Sequence, residues 1–421
     1  MSQNLDFVNL RYKPTEEDLI CLFRIEPKNN IKEAANTVAL ESSVGTWTPI
    51  GTQKDYVNRL AAKVFSIKGK FVQIAYPQEL FEEGNAANIL SSIAGNVFGM
   101  KAVKKLRLED VKFPKKLLNS FPGPRYGING IRELLKIKDR PLIGTIIKPK
   151  IGLNVLDHAK VAYNSWIGGC DIVKDDENLS SQKFNEFDKR AAKTLEMKDK
   201  AENETGEKKA YMINVTAESY EMVRRADLVK SLGGNYVMHD ILTAGFSSLQ
   251  TLRHKTTLPI HAHRAMHGAF TEDPQHGINM MVIADIARLI GVDTLHIGTG
   301  MGKMRGGFKE VEEIREEIEL KEVEKTKLRL EQSWNNLKPV MAVCSGGIYP
   351  GHIPSLIKHY GNNIVIQAGG GVHWHPKGSQ YGAMGMRQAV DAVLKGFSLK
   401  EYAKNHMELK EVLDNFGDVK F

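Results

Sequence analysis

Two rhythms of apolar residues divide the chain. Between about residues 18 and 114, short apolar runs switch repeatedly between the two-residue period of strands and the longer period of helices. Segments 19–25, 71–76 and 102–111 read as strands, and 31–40 and 86–98 as helices. Such an order predicts a compact N-terminal α+β domain of ferredoxin-like type on an antiparallel sheet. The cluster Phe121-Pro122-Gly123-Pro124 punctuates the pattern. It sets the expected boundary between a domain spanning 1–122 and a second spanning 123–421.

Beyond that point the rhythm becomes regular. Apolar strand candidates fall at 142–147, 171–173, 211–215, 236–238, 259–262, 294–297, 340–344 and 364–368, with helix-sized segments between them. Eight such units predict a (β/α)8 TIM barrel, with an open doubly wound sheet as the alternative that periodicity leaves standing. Each candidate runs into a polar or glycine residue: Lys148, Lys174, Asn214, His239, His263, His296, Ser345 and Gly369. In a barrel those positions rim the active-site face. Segments 386–395 and 399–416 read as closing helices. The Glu- and Lys-rich stretch 308–330 reads as an extended amphipathic helix, too sparse in apolar residues for a coiled coil.

At 421 residues the chain exceeds one ordinary core, and its composition is that of a soluble globular enzyme. The formal charge of +8 is spread among acids and forms no basic stripe. It suits an anionic small substrate and gives no footing for nucleic acid. Cys21, Cys170 and Cys344 lie singly in apolar runs, as reduced core residues of a cytoplasmic protein do. The first residues carry no export signal, and no run is suited to a membrane.

The densest chemistry is in Gly168-Gly169-Cys170-Asp171-Ile172-Val173-Lys174-Asp175-Asp176-Glu177-Asn178. Strand alternation points Lys174 and Asp176 to one face, and Glu177 can join them after a turn. Two carboxylates suit Mg2+, which is often held by one or two carboxylates with substrate and water. Lys174 is then either a counter-ion or, after adding CO2, a carbamate; the residues alone favour the ion pair. Ser345-Gly346-Gly347 and Gly369-Gly370-Gly371 offer backbone N–H groups where barrels commonly bind phosphate. His263-Arg264-Ala265-Met266-His267 and His296 suit a second phosphate. Gly298-Thr299-Gly300-Met301-Gly302-Lys303 reads either as a lid bearing a lysine or as a mobile surface loop.

Together these segments resemble the large chain of ribulose-1,5-bisphosphate carboxylase/oxygenase (RuBisCO) over nearly the whole length. The stretches are GTIIKPKIGL, GGCDIVKDDEN, HAHRAMH, LHIGTGMGK, CSGGI and QAGGG, with ESSVGTWT and GNVFGMKAVKKLRLED nearer the N-terminus. The details look most like the archaeal form III or intermediate II/III branch, which lacks a small subunit and is associated with ribose salvage from AMP.

The resemblance implies that carbamylated Lys174, Asp176 and Glu177 hold Mg2+, with CO2 as activator. It implies catalytic roles for Lys148, Lys174, His263 and Lys303, with Lys150 beside Lys148. Thr46, Trp47, Gly347, Gly369 and Gly370 are implied to meet one phosphate of ribulose-1,5-bisphosphate. Arg264, His296 and Ser345 are implied to meet the other, with Gly346 and Gln367 also at the substrate. Glu41 is implied to pair with Lys303, and Asn96 to touch substrate near the metal. The implied reaction is carboxylation, with oxygenation by O2 as a side reaction, in a homodimer or an assembly of dimers with shared sites. Two residues depart from the pattern: Ile297 stands where plant enzymes have serine, and Arg305 follows the lid lysine where an acid is usual. RuBisCO-like enolases of methionine salvage typically lose several of these groups, and a noncatalytic scaffold has no use for them. This chain keeps them.

Overall fold

The structure is a computed structural model describing residues 7–46, 51–301 and 307–416. Trp47, Lys303 and Arg305 lie outside the described residues. Contacts divide the chain into two compact units. One gathers the chain up to Gly123 together with Met266–Ile290 and Leu320–Leu337; the other gathers Pro124–Ala265, Gly291–Glu319 and the chain from Lys338 onward.

The first unit is built on a five-stranded sheet. In spatial order its strands are Gly277–Ile278, Val103–Lys112, Asp18–Pro27, Phe71–Pro77 and Lys63–Lys68, all antiparallel neighbours except the first pair. Cys21, Phe23, Ile25, Ile74, Tyr76, Leu106 and Leu108 are fully buried and form its apolar centre. Helix Ile31–Glu41 presents Ala34, Ala35, Val38 and Ala39 as its buried stripe and starts at Asn30, whose side chain accepts from Lys32 N–H and Glu33 N–H. The edge strand Lys63–Lys68 was not expected, because its half-exposed residues blur the two-residue period. The helix expected over 86–98 stops at Ile93, and a separate turn of 3-10 helix occupies Val97–Gly99. Gly95 explains the break: a Cβ there would sit 2.2 Å from the Ser91 carbonyl oxygen.

The second unit is a closed barrel of eight parallel strands, which removes the doubly wound alternative. In chain order they are Leu142–Ile146, Ile172–Lys174, Ala210–Asn214, Val237–Asp240, Ile260–His263, Thr294–His296, Met341–Ser345 and Ile364–Gln367. Each pairs with its sequence neighbours, and the eighth pairs with the first. Inward side chains fill the lower barrel with Leu142, Ile172, Met212, Tyr236, Met238, Met341, Val343 and Val365. Helix Gly127–Leu135 adds Ile128, Ile131 and Leu135 to that cluster. The barrel interior is therefore a packed core, and the polar strand ends gather at its C-terminal face.

The long helix expected over 308–330 is corrected. Only Phe308–Glu319 is helical, and Glu322–Val323 pairs with Gln332–Ser333 as a small antiparallel ladder. Past Glu319 burial falls on Val323, Leu330 and Gln332 rather than on a helical stripe, and Thr326 N–H closes a turn on the Arg329 carbonyl at 2.9 Å. Tertiary burial overrides the helix propensity of Glu and Lys here. The helix expected over 399–416 is likewise two, Leu399–Ala403 and Met407–Phe416, separated where the His406 ring stacks on Tyr402 at 3.7 Å. The three cysteines are free and buried. Among the described residues, no helix is long and apolar enough to cross a membrane.

Candidate active site

The site is assembled by strand alternation. In the second barrel strand Ile172 faces inward, so Lys174 and Asp176 do too, while Asp175 faces the surrounding helices. Asp175 accepts from Arg190 Nε at 3.2 Å, His158 Nε2 at 3.1 Å, the Tyr211 hydroxyl and the Asn214 backbone N–H at 3.1 Å. Burial opposes ionisation of this carboxyl, but the Arg190 guanidinium and the His158 and Tyr211 donors outweigh it and hold it well below the usual range. The wall side of the strand is thereby locked, and its inward neighbours are aimed at the mouth.

Lys174 is fully buried. Its Nζ donates to the Asp175 carbonyl at 2.7 Å and lies 3.1 Å from Met238 Sδ. Burial lowers its pKa below the ordinary lysine value, against the opposing pull of Glu177, Asp240, Asp176 and Asp175. The ion-pair expectation is not met at Lys174 itself: the lysines bonded to the acids are Lys148, 2.7 Å from Asp176 Oδ2, and Lys150, 3.5 Å from Glu177 Oε1. Asn178 also donates to Asp176 Oδ1, from its side chain at 2.9 Å. Burial pushes the Asp176 carboxyl up, but Lys148 and Asn178 together hold it below its ordinary value. Asn214 fixes the following loop by donating to the carbonyls of Glu177 and Leu179 at 3.3 and 3.2 Å.

Three histidines line the next part of the mouth. The Ala265 N–H lies 3.1 Å from His263 Nδ1, and His263 Nε2 is 3.6 Å from Glu177 Oε2. His296 Nδ1 lies 2.7 Å from Ser345 Oγ, and its ring is 4.9 Å from that of His263 and 4.6 Å from that of His261. Burial lowers the pKa of all three, helped by the nearby Lys174, so they are neutral imidazoles. Arg264, whose pKa burial lowers to about 10, remains a guanidinium at neutral pH. Gly298 stands beside it: a Cβ there would lie 3.0 Å from Arg264 Nη2, and its φ of +97° already favours glycine.

The glycine loops sit at the remaining strand ends. Gly346 and Gly347 hold positive φ, and a Cβ on Gly369 would meet Lys148 Cε at 3.1 Å, so bare backbone is what lets Lys148 reach Asp176. Gly370 opens the short helix Gly370–His373. Gln367 is buried inside the mouth, with neither amide atom bonded among the described residues. In the first unit, Asn96 Nδ2 donates to Glu41 Oε1 at 3.2 Å, and Thr46 follows the loop after helix Ile31–Glu41.

One strand-end expectation is corrected. Met238 and Asp240 face inward, so His239 between them faces the outer helices, buried and with neither ring nitrogen bonded among the described residues, and is no part of the mouth. Several contributors went unread in the sequence. Asp240 lies 3.3 Å from His263 Nδ1. His373 bonds Thr145 Oγ1 and the Ile146 carbonyl, each at 2.9 Å, bracing the strand that leads to Lys148. Asp175 stood in plain view in the KDDE run, and alternation alone could have assigned it to the wall.

A closed barrel with lysines, carboxylates and histidines gathered at the C-terminal ends of its strands places the chain among the (β/α)8-barrel enzymes. Two family descriptions match in succession: "Ribulose bisphosphate carboxylase large chain, N-terminal domain" over residues 6–117, and the catalytic domain of the same chain over residues 127–416. The sequence is 50% identical over 419 residues to a ribulose bisphosphate carboxylase of Methanosarcina mazei, covering 97% of this chain and 98% of that protein. It is 49% identical over 423 residues to the one from Methanocaldococcus jannaschii, with 97% and 99% covered. Dimeric archaeal Rubisco from Hyperthermus butylicus superposes with a TM-score of 0.93 at 45% identity over 99% of both chains. Octameric Rubisco from Pyrococcus horikoshii, solved with sulfate ion, gives 0.92 at 46% identity over 99% of this chain and 97% of that one. This chain belongs to the ribulose bisphosphate carboxylase large-chain family and is an enzyme of that family.

Proposed function

We propose that the chain carboxylates ribulose-1,5-bisphosphate, CO2 bonding to C2 and water adding at C3 before the C2–C3 bond breaks, to give two molecules of 3-phosphoglycerate, using Mg2+ held by a carbamate on Lys174 with Asp176 and Glu177. The observation that carries this reading is the Lys174 amine, buried beside both acids and bonded to neither carboxylate. Among the described residues no three His, Cys, Asp or Glu side chains converge as a ready cation site. Asp176 and Glu177 supply only two carboxylates, so the residues fit Mg2+ once Lys174 gains an anionic oxygen. An amine whose pKa burial has lowered is the form that adds CO2. When bound, the metal would supply Lewis-acid polarisation of the substrate's C2 carbonyl and C3 hydroxyl.

The chain's own groups divide the remaining work. Arg264, His296 and Ser345 would take one phosphate, and Thr46, Trp47, Gly347, Gly369 and Gly370 the other, with Gly346 and Gln367 lining the space between. The uncommitted Gln367 amide suits a hydroxyl or phosphate oxygen. His263, held between Glu177 and Asp240, would assist hydration at C3. Lys148 would deliver a proton to the last three-carbon carbanion, and Lys150 would tune it. Lys303 would receive the new carboxylate, with Glu41 and Asn96 completing the site from the N-terminal domain of a partner in a homodimer. Oxygenation would follow where O2 replaces CO2, and ribose salvage from nucleotides is the metabolic setting that the branch resemblance suggests.

The test is fixation of labelled CO2 into acid-stable product after preincubation with CO2 and Mg2+. Bisphosphate-dependent fixation is expected, and it should vanish in Lys174→Ala. A folded dimer that fixes nothing overturns the carboxylase reading; undiminished fixation by the variant overturns the carbamate.

A further inference from the structure

The opposite end of the barrel carries a second concentration of charge. A cavity of about 470 Å3 opens there, lined by the segment leading into the first strand, the turn leading into the third, and helix Ser379–Leu394. Lys136, Lys138, Arg140, Lys208 and Arg387 supply five cations to its lining, against two acids, Asp139 and Glu207. Neither Lys136 nor Lys138 has an ion-pair partner among the described residues, and both are exposed.

The floor is preorganised. Asp171, wholly buried, accepts from Arg140 Nη1 and Nη2 at 2.6 Å each, and Arg387 Nη1 lies 3.8 Å from the same carboxylate. Two guanidiniums thus share one buried acid. Arg140 spends three donor bonds on Asp171 and the Pro141 carbonyl, which leaves the Nε hydrogen and one Nη2 hydrogen of its five without an acceptor among the described residues. Arg387 is tied to Glu207 at 3.3 Å, and Lys208 to Glu202 at 2.9 Å, so both heads are fixed beside the opening. Ile137 and Leu394 provide an apolar wall, backed by the buried Leu135. A planar fork and point charges around a preformed cavity suit phosphate oxygens. The volume exceeds what inorganic phosphate needs, and the apolar wall has no use for it.

We propose that this N-terminal face of the barrel binds an organic phosphate, a class that includes nucleoside polyphosphates and sugar phosphates, at a site separate from the strand-end mouth. The ligand's phosphates would meet Lys136, Lys138 and the free hydrogens of Arg140, and its organic part the apolar wall. This does not depend on the reaction proposed above.

Titration calorimetry on the full chain tests it, with ATP, tripolyphosphate and ribulose-1,5-bisphosphate as probes. The variants are the double charge reversal Lys136→Glu/Lys138→Glu, on exposed positions, and Arg264→Gln at the mouth. Saturable ATP binding is expected, weakened by at least about tenfold in the double variant, the loss of two close cations, and kept in Arg264→Gln. Tripolyphosphate binding more weakly than ATP supports use of the apolar wall. Displacement of ATP by ribulose-1,5-bisphosphate in Arg264→Gln supports the site and makes the substrate its ligand; failure to displace supports a different organic phosphate. The absence of saturable ATP binding overturns the proposal, as does binding that survives the double variant or disappears in Arg264→Gln. Thermal melts of both variants within a degree or two of the parent exclude unfolding as the cause of any loss.

Discussion

Lys148 Nζ and Asp176 Oδ2 meet at 2.7 Å across the ends of the first and second barrel strands, through space that only a glycine at 369 leaves open. The ammonium and carboxylate are each other's counter-charge at the strand ends.

Lys148→Met keeps the length of the side chain and removes the charge. The chain should stay folded while turnover falls by at least ~100-fold, the usual scale for losing a proton-transfer group. Circular dichroism and labelled-CO2 fixation measure the two halves of that statement, and near-parental turnover would remove Lys148 from the proton-transfer role.

Asp175 makes a different prediction, because it faces the wall. Asp175→Ala leaves the fully buried Arg190 without its carboxylate, and breaking one side of a buried charge pair costs about 3–5 kcal/mol. Urea unfolding should show a loss of that size. A change below about 1 kcal/mol, the range of an exposed pair, would mean that Arg190 finds water or another acceptor.

Stability should also depend on pH on the acid side. Burial lowers the pKa of both His239 and His373 to about 4 from an ordinary value of 6.5. In the unfolded chain these rings take up protons as pH falls through 6.5, while in the folded chain they stay neutral until about 4. Stability is therefore complete above 6.5, is lost between 6.5 and 4, and changes no further from this source below 4, with a slope of up to about 1.4 kcal/mol per pH unit for each ring. Denaturation midpoints from pH 7 to 4 measure this, and His239→Gln should flatten the slope.

Gly298→Ala should weaken substrate binding more than it slows turnover. The added methyl would press on Arg264 Nη2 at 3.0 Å in a backbone conformation that alanine resists. KM for the bisphosphate should rise by about tenfold, the scale of a displaced positioning group, while melting temperature changes little. An unchanged KM would show that Arg264 moves aside without consequence.

The barrel was readable because eight apolar runs each ended in a chemically useful residue, and period-two alternation correctly turned Lys174 and Asp176 inward. The same alternation, applied to the fourth strand, would have turned His239 outward; being polar and at a strand end was not enough. Lys63–Lys68 escaped notice because a half-exposed edge strand carries a weak period. Stretch 308–330 misled because Glu and Lys favour helix locally, whereas the burial of Val323 and Leu330 is decided by distant parts of the chain. The link between His373 and the first strand spans more than two hundred residues and has no local signature.

Because Lys174, Asp175 and Asp176 are consecutive, one short stretch of backbone serves both sides of the barrel wall. Inserting or deleting a single residue just before Lys174 would exchange the two sides: Asp175 would be delivered to the mouth, and its neighbours would be driven against Arg190 and Tyr211. Point changes here can be graded, but changes in length cannot. The spacing of this strand should therefore be far less tolerant of variation in engineered libraries than the identity of any one of its apolar residues.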